Sequence, residues 1–88
     1  MTTFPELDSI RAALCEFIRN NLAAPGVTVQ ADTPLSELGL DSFSIIEIVL
    51  FIERNYQLSL PDEALNKENL YSAGTVAVCV RHYMETRA

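Results

Sequence analysis

The chain has few of the residues from which catalytic and metal sites are built. It contains one histidine and two cysteines, and no further ligand stands at metal-binding spacing beside the cysteines. It has no P-loop, nucleophile elbow or zinc-binding motif. His82 lies near the end of the last predicted helix, where an imidazole usually faces water or the helix C-terminus. We therefore expect no catalytic residue and no metal, and a protein on which enzymes act.

Long apolar segments are also missing. The richest run, Ile45–Ile52, is interrupted by Glu47, so we predict no membrane-spanning segment and no membrane partner. The first residues lack the basic and apolar regions of a signal peptide, which favours a cytoplasmic location. In that compartment Cys15 and Cys79, both at apolar positions of helical patterns, are interpreted as reduced core residues. A disulfide between them is the alternative.

Positive charge is scarce and unevenly distributed. Twelve acidic residues against six basic ones give a net charge of −6. Residues 30–68 hold eight of the acids and two of the bases, whereas acids and bases outside this segment balance. Such a field repels nucleic acid and attracts basic protein surfaces to the middle of the chain. We predict protein partners and no nucleic acid; a surface that merely increases solubility is the alternative.

The hydrophobic pattern predicts an all-α fold. We expect one domain over residues 1–88, because a chain of this length supports one modest core. Apolar residues at helical spacing predict a first helix from Pro5 to about Ala23 and a second from Asp41 or Ser42 to about Tyr56. A short third helix is predicted from Asp62 to about Asn66. The last helix is predicted to begin near Ser72, as its cap, and to continue toward the C-terminus.

A long loop is predicted between the first two helices. Pro25 and the following glycine end the first helix. Further on, a single capped turn is expected, with Thr33 as its cap, Pro34 at its first position and Gly39 as its stop. We expect Leu35 and Leu38, within this turn, to attach the loop to the core.

The second helix has more apolar residues than one face can hold. At about 100° per residue, one group gathers on a core-facing arc: Ile45, Ile48, Val49, Ile52 and Tyr56. Phe43, Ile46 and Leu50 form a second apolar strip, with Ser42 and Glu53 between the two arcs and Glu47 on the far side. Apolar contact rimmed by charge is typical of a transient docking surface. The alternative is that a small bundle buries Ile46 and Leu50.

One serine stands at the start of this helix. Ser42 directly follows Asp41, and its hydroxyl is expected to be exposed beside the unpaired N–H groups of the first helical turn. That position suits the covalent attachment of a phosphate ester. Asp-Ser is also a common helix opening in which either residue is simply the N-cap.

The surrounding motif is more specific than the dipeptide. In order, the chain contains Leu38-Gly39-Leu40-Asp41-Ser42-Phe43, Glu47-Ile48-Val49, Ile52-Glu53 and Leu60-Pro61-Asp62-Glu63. This set resembles the acyl carrier protein family and its peptidyl carrier relatives, over nearly the whole chain. The resemblance implies a four-helix bundle of acyl-carrier type. It also implies that Ser42 receives a 4′-phosphopantetheine from coenzyme A and that a thioester of an acyl or aminoacyl group forms on its thiol.

The resemblance further implies a set of partners. Carriers of this kind present an acidic second helix to partner enzymes, and the predicted partner-binding residues are Asp41, Phe43, Ile46, Glu47, Leu50, Glu53 and Glu63. The implied partners are a phosphopantetheinyl transferase, an acyl- or aminoacyl-loading ligase, and an acyltransferase or synthase. The chain is expected to be a monomer.

Three residues depart from the family's usual pattern. Phe43 replaces the common leucine after the serine, Ser44 stands where fatty acid synthase carriers usually have an acid, and Arg54 occupies a position where an acid is common. These departures favour a free-standing carrier of specialised metabolism, in polyketide, nonribosomal peptide or amino-acid activation chemistry. The alternatives are a fatty acid synthase carrier, and a small helical interaction module without a prosthetic group.

Overall fold

The computed structural model describes residues 5–87 and contains three α-helices in that range. They are α1 (Leu7–Asn21), α2 (Ser42–Tyr56) and α3 (Ala73–Arg87). Two 3-10 turns, Leu35–Leu38 and Asp62–Ala64, lie in the connections. The predicted all-α class is confirmed, since β pairing within these residues is limited to one isolated bridge. No helix in this range is long and apolar enough to cross a membrane.

All three helices contribute to one core. The buried residues of α1 and α2 are four positions apart, which is the spacing of a single helical face: Ile10, Leu14 and Ile18 from α1, and Ile48 and Ile52 from α2. Helix α3 buries a wider arc: Ala73, Val76, Ala77, Cys79, Val80 and Met84. The rings of Phe17 and Phe51 stack with their centroids 4.3 Å apart and join α1 to α2. The Arg81 guanidinium donates a 2.6 Å hydrogen bond to the carbonyl of Pro5, just before α1.

Both cysteines are free thiols, and each lies on a helix that contributes to the core. Cys79 on α3 is buried, and Cys15 on α1 is half-buried against the core. Burial raises the pKa of both thiols, and for Cys15 the nearby arginines Arg19 and Arg11 oppose that effect. The interpretation as reduced core residues therefore agrees with the structure.

The predicted short third helix is a single 3-10 turn instead, Asp62–Ala64. Asparagine side chains bind the carbonyl groups on which further helical turns would depend. The Asn66 amide donates to the carbonyl of Glu63 at 3.1 Å, and the Asn69 amide donates to that of Ala64 at 2.9 Å. This competition between asparagine and the backbone ends the helix early.

The predicted turn in the long connection is a 3-10 turn with a different start. Thr33 does not cap it, because the Thr33 hydroxyl accepts a 3.2 Å hydrogen bond from the N–H of Gln30, on the preceding side. Pro34, with extended backbone, directly precedes the turn. Gly39 ends it at φ 75°, in the left-handed region that glycine adopts without strain, as predicted. Leu35 is buried as predicted, and the half-buried Leu38 packs against the core.

Backbone hydrogen bonds hold this connection against the start of α3. The N–H of Leu35 donates to the carbonyl of Tyr71 at 2.8 Å, and the N–H of Gly74 donates to that of Ala31 at 2.7 Å. Ser72 caps α3 as predicted, because its hydroxyl accepts from the N–H of Thr75 at 3.3 Å. The residues that lead into α2 are therefore fixed to a second helix.

We expect Gly74→Ala to lower the free energy of unfolding by about 1–3 kcal/mol, although alanine normally stabilises a helix relative to glycine. The added Cβ would lie 2.9 Å from the carbonyl oxygen of Ala31, which is closer than real contacts of this kind. Urea denaturation followed by circular dichroism measures the difference. A variant as stable as the wild type would show that the connection moves away without cost.

Candidate functional site

The start of α2 is fixed by Asp41. Asp41 is the N-cap, and its Oδ1 accepts hydrogen bonds from the N–H of Ser44 at 3.0 Å and from the Ser44 hydroxyl at 3.2 Å. These bonds favour the charged form and lower the pKa of the Asp41 carboxyl. The sequence left open whether Asp41 or Ser42 caps the helix, and the structure assigns the cap to Asp41.

Ser42 is therefore not needed to cap the helix. It is the first residue of α2, its side chain is exposed, and its hydroxyl makes no hydrogen bond to the described residues. The positive end of the helix dipole and the N–H groups of the first turn favour an anion at this place, whereas the charge of Asp41 partly opposes one. An exposed, unbonded hydroxyl at a helix N-terminus fits a prosthetic group that is attached through a phosphodiester.

The second apolar strip is exposed. Phe43 is 75% exposed, Ile46 56% and Leu50 44%, and the side chain of Glu47 beside them is also exposed. The alternative in which the bundle buries Ile46 and Leu50 is therefore excluded. Four predicted partner-binding residues lie on one solvent-facing side of α2, and Asp41 precedes them. We call these five residues the docking face.

Helix α1 extends this surface in a way that sequence reasoning missed. Phe17 and Asn21 line an open groove of about 420 Å³ together with Asp41, Phe43 and Glu47. Phe17 also lines a hollow of about 200 Å³ with Glu47 and Leu50. The sequence predicted α1 as a helix but did not place Phe17 at this surface, since nothing in the sequence places α1 beside the start of α2.

Two predicted partner-binding residues lie elsewhere. Glu53 is half-buried, and its Oε2 accepts a 3.3 Å hydrogen bond from the N–H of Leu60, so that it ties α2 to the following loop. Glu63 is exposed on the second 3-10 turn and lines a separate groove with Val78 and His82 of α3. The helical wheel showed that Glu53 lies beside the core arc, but it could not show this hydrogen bond.

We expect the charge of Asp41 to make stability depend on pH in the acidic range. Because the folded pKa of Asp41 is below its ordinary value, its contribution is present above that value and is lost as the pH falls through the folded pKa. Asp41→Asn keeps an oxygen that accepts from Ser44 but has no charge to lose. Below about pH 4 the urea midpoint of the wild type should fall more steeply than that of the variant. Parallel slopes would contradict this assignment.

Comparison with known proteins identifies the family of the chain. The family model of the phosphopantetheine attachment site (PP-binding) matches residues 7–77. The chain belongs to this family. Phosphopantetheine is therefore the prosthetic group of its family, and the matched segment includes Ser42 and all of α2.

Curated relatives of the family match in sequence. Acyl carrier protein 3, chloroplastic, of Hordeum vulgare is 38% identical over 50 residues, which cover 56% of this chain and 38% of that protein. The chain thus spans well under half of that relative. The anthracycline acyl carrier protein DauA of Streptomyces sp. (strain C5) is 40% identical over 57 residues, covering 61% of this chain and 68% of that protein. The anthracycline acyl carrier protein DpsG of Streptomyces peucetius matches with the same identity and the same coverage. All three relatives are named acyl carrier proteins.

Solved structures match the fold. The acyl carrier protein of Thermotoga maritima superposes with a TM-score of 0.75 at 23% identity, over 99% of this chain and 100% of that one. A structure of the Bradyrhizobium japonicum glycine:[carrier protein] ligase complexed with glycylated carrier protein matches with a TM-score of 0.63 at 23% identity, over 83% of this chain and 95% of the matched chain. At this identity the likeness shows the fold alone.

Proposed function

We propose that this chain holds acyl or aminoacyl intermediates as thioesters on a 4′-phosphopantetheine attached to Ser42, and presents them to partner enzymes. The observation that carries the proposal is the Ser42 hydroxyl, which is exposed and unbonded at the first residue of α2, inside the matched family segment. The prosthetic group supplies a terminal thiol that forms the thioester.

The chain's own residues have positioning roles in this proposal. Asp41 fixes the first turn of α2 through Ser44, so that the Ser42 hydroxyl is presented to a transferase in one place. The unpaired N–H groups of that turn stabilise the phosphodiester. Within residues 5–87, no hydrogen bond of the Ser42 side chain must break before Ser42 reacts.

The docking face is the proposed contact for a phosphopantetheinyl transferase, a loading ligase, and an acyltransferase or synthase. Its apolar side chains supply contact area, and Asp41 and Glu47 attract basic partner surfaces. A small patch of this kind suits weak, fast association, which a carrier needs because it must visit several enzymes. Glu53 and Glu63, which lie elsewhere, are not part of the proposed contact.

We further propose a role in specialised metabolism, of the polyketide or nonribosomal peptide type. Phe43, Ser44 and Arg54 make α2 more aromatic and less acidic than is usual for fatty acid synthase carriers. Two relatives that are 40% identical are anthracycline acyl carrier proteins. Mass spectrometry of the loaded protein from its native host would identify the cargo.

The test of attachment is incubation of the purified chain with coenzyme A and a promiscuous phosphopantetheinyl transferase. We expect the intact mass to increase by one phosphopantetheinyl group. An unchanged mass, while an established carrier is modified in the same tube, would refute the proposal.

Glu47→Lys should slow this modification about five-fold at low salt, since it reverses one charge of the docking face. The matched control is Glu16→Lys, which makes the same charge change at an exposed residue of α1 that lines neither of the two grooves beside the docking face. We expect the difference between the variants to shrink at high salt. Equal rates for both variants at low salt would remove Glu47 from the contact.

A further inference from the structure

A second cavity, open to solvent like the groove beside the docking face, lies apart from that face. It has a volume of about 430 Å³, within the range of small-molecule sites. Three parts of the chain form its apolar walls: the connection before α2 provides Leu40, α2 provides Ile45, and the segment before α3 provides Leu65 and Leu70. The cavity is therefore built between elements that are distant in sequence.

The cavity lies beside the attachment site. Leu40 precedes Ser42 by two residues and Ile45 follows it by three, so two of its walls flank the first turn of α2. None of the lining residues belongs to the docking face. The cavity and the docking face thus share no residue, and both border the first turn of α2.

Charge distinguishes this cavity from its surroundings. Lys67 is the only lysine of the chain and the only charged residue among those that line the cavity, whose other polar members are Ser36, Asn66 and Tyr71. It makes no ion pair within the described residues. The cavity therefore has a positive edge inside the most acidic part of the chain, where Asp41 and Glu47 make the docking face negative.

We propose that Lys67 selects cargo by the charge at the end remote from the thioester, so that the cavity favours acyl groups with a terminal carboxylate over acyl groups of equal length with a terminal ammonium. The apolar walls accept the body of the acyl chain, and the Lys67 ammonium attracts an anion and repels a cation at its end. This inference rests on the proposed attachment at Ser42. It narrows the proposed cargo to acyl groups whose end remote from the thioester is not cationic.

The test compares three cargoes of equal chain length. Hexanoyl, adipoyl and 6-aminohexanoyl groups are loaded from their coenzyme A thioesters by a promiscuous transferase, and intact mass confirms loading. Methyl chemical shifts of Ile45, Leu65 and Leu70 then report the ratio of cavity-bound to solvent-exposed cargo. We expect this ratio to be about two- to five-fold higher for adipoyl than for hexanoyl, and higher by a similar factor for hexanoyl than for 6-aminohexanoyl. That factor is the range of an exposed ion pair.

Variants of Lys67 test the cause. Lys67→Met should leave hexanoyl occupancy unchanged and remove the preference for adipoyl over 6-aminohexanoyl, whereas Lys67→Arg should keep that preference. Arg54→Met is the matched control, because Arg54 is the other base of residues 30–68 and does not line this cavity.

An unchanged order of the three cargoes in the Lys67→Met protein would overturn the inference. So would an equal loss for all three cargoes, which would show that Lys67 binds the phosphodiester instead. Failure of loading itself would refute the attachment at Ser42, whereas loading without any cargo preference would refute this inference alone.

Discussion

Ser42→Ala should abolish attachment of phosphopantetheine while the fold stays intact. The variant removes the one atom to which the phosphorus would bond, so no partial activity is expected. Because Asp41 is the N-cap and the Ser42 hydroxyl makes no hydrogen bond in the described residues, the free energy of unfolding should change by less than about 0.5 kcal/mol. Intact mass after incubation with coenzyme A and a transferase measures the first effect, and urea denaturation measures the second.

A matched serine makes the result specific. Ser59→Ala changes another exposed serine, in the loop after α2, and should accept the prosthetic group as readily as the wild type. If the Ser42→Ala protein still gained the mass of one phosphopantetheinyl group, another residue would be the attachment site.

Ile48→Ala should lower the free energy of unfolding by about 2–5 kcal/mol, a large part of the total for a domain of this size. Ile48 is 1% exposed, so its truncation leaves a cavity among α1, α2 and α3. Ile46→Ala removes the same atoms two residues earlier on the same helix, where the side chain is 56% exposed. It should change stability by less than about 0.5 kcal/mol.

The variants Ile46→Ala and Ile48→Ala should also distinguish an effect on docking from an effect on stability. Under conditions in which both variants are folded, Ile46→Ala should slow phosphopantetheinyl transfer, whereas Ile48→Ala should not. Urea denaturation gives the stability difference, and initial transfer rates give the docking difference. Equal destabilisation by both substitutions would show that Ile46 packs inside the bundle after all.

Residues close in sequence account for most of what could be predicted. The bounds of α2 follow from a capping Asp41 at one end and from the apolar period that ends at Tyr56. The same period separated a core face from a second apolar strip, and the exposure of Phe43 and Ile46 agrees with it. The site depends on this one amphipathic helix, so its centre could be predicted.

Residues far apart in sequence account for what could not. Phe17 reaches the docking groove because α1 packs beside α2, and a helical period contains no information on which helices become neighbours. Glu53 matched the family's acidic pattern, but its hydrogen bond to Leu60 depends on the path of the loop after α2. Local competition by Asn66 and Asn69 ended the third helix early, since propensity is weaker than a well-placed side-chain amide.

The hydrogen bond between the N–H of Leu35 and the carbonyl of Tyr71 has a mechanical consequence for the second cavity. Both residues line that cavity, from opposite segments of the chain. On this side the two segments cannot separate without breaking main-chain pairing. Room for bulkier contents must therefore come from the other walls, which include Ile45 on α2 and Leu65 before α3. Where the Ile45 wall moves, the helix that bears Ser42 moves with it, so bulky contents can shift the position of that serine.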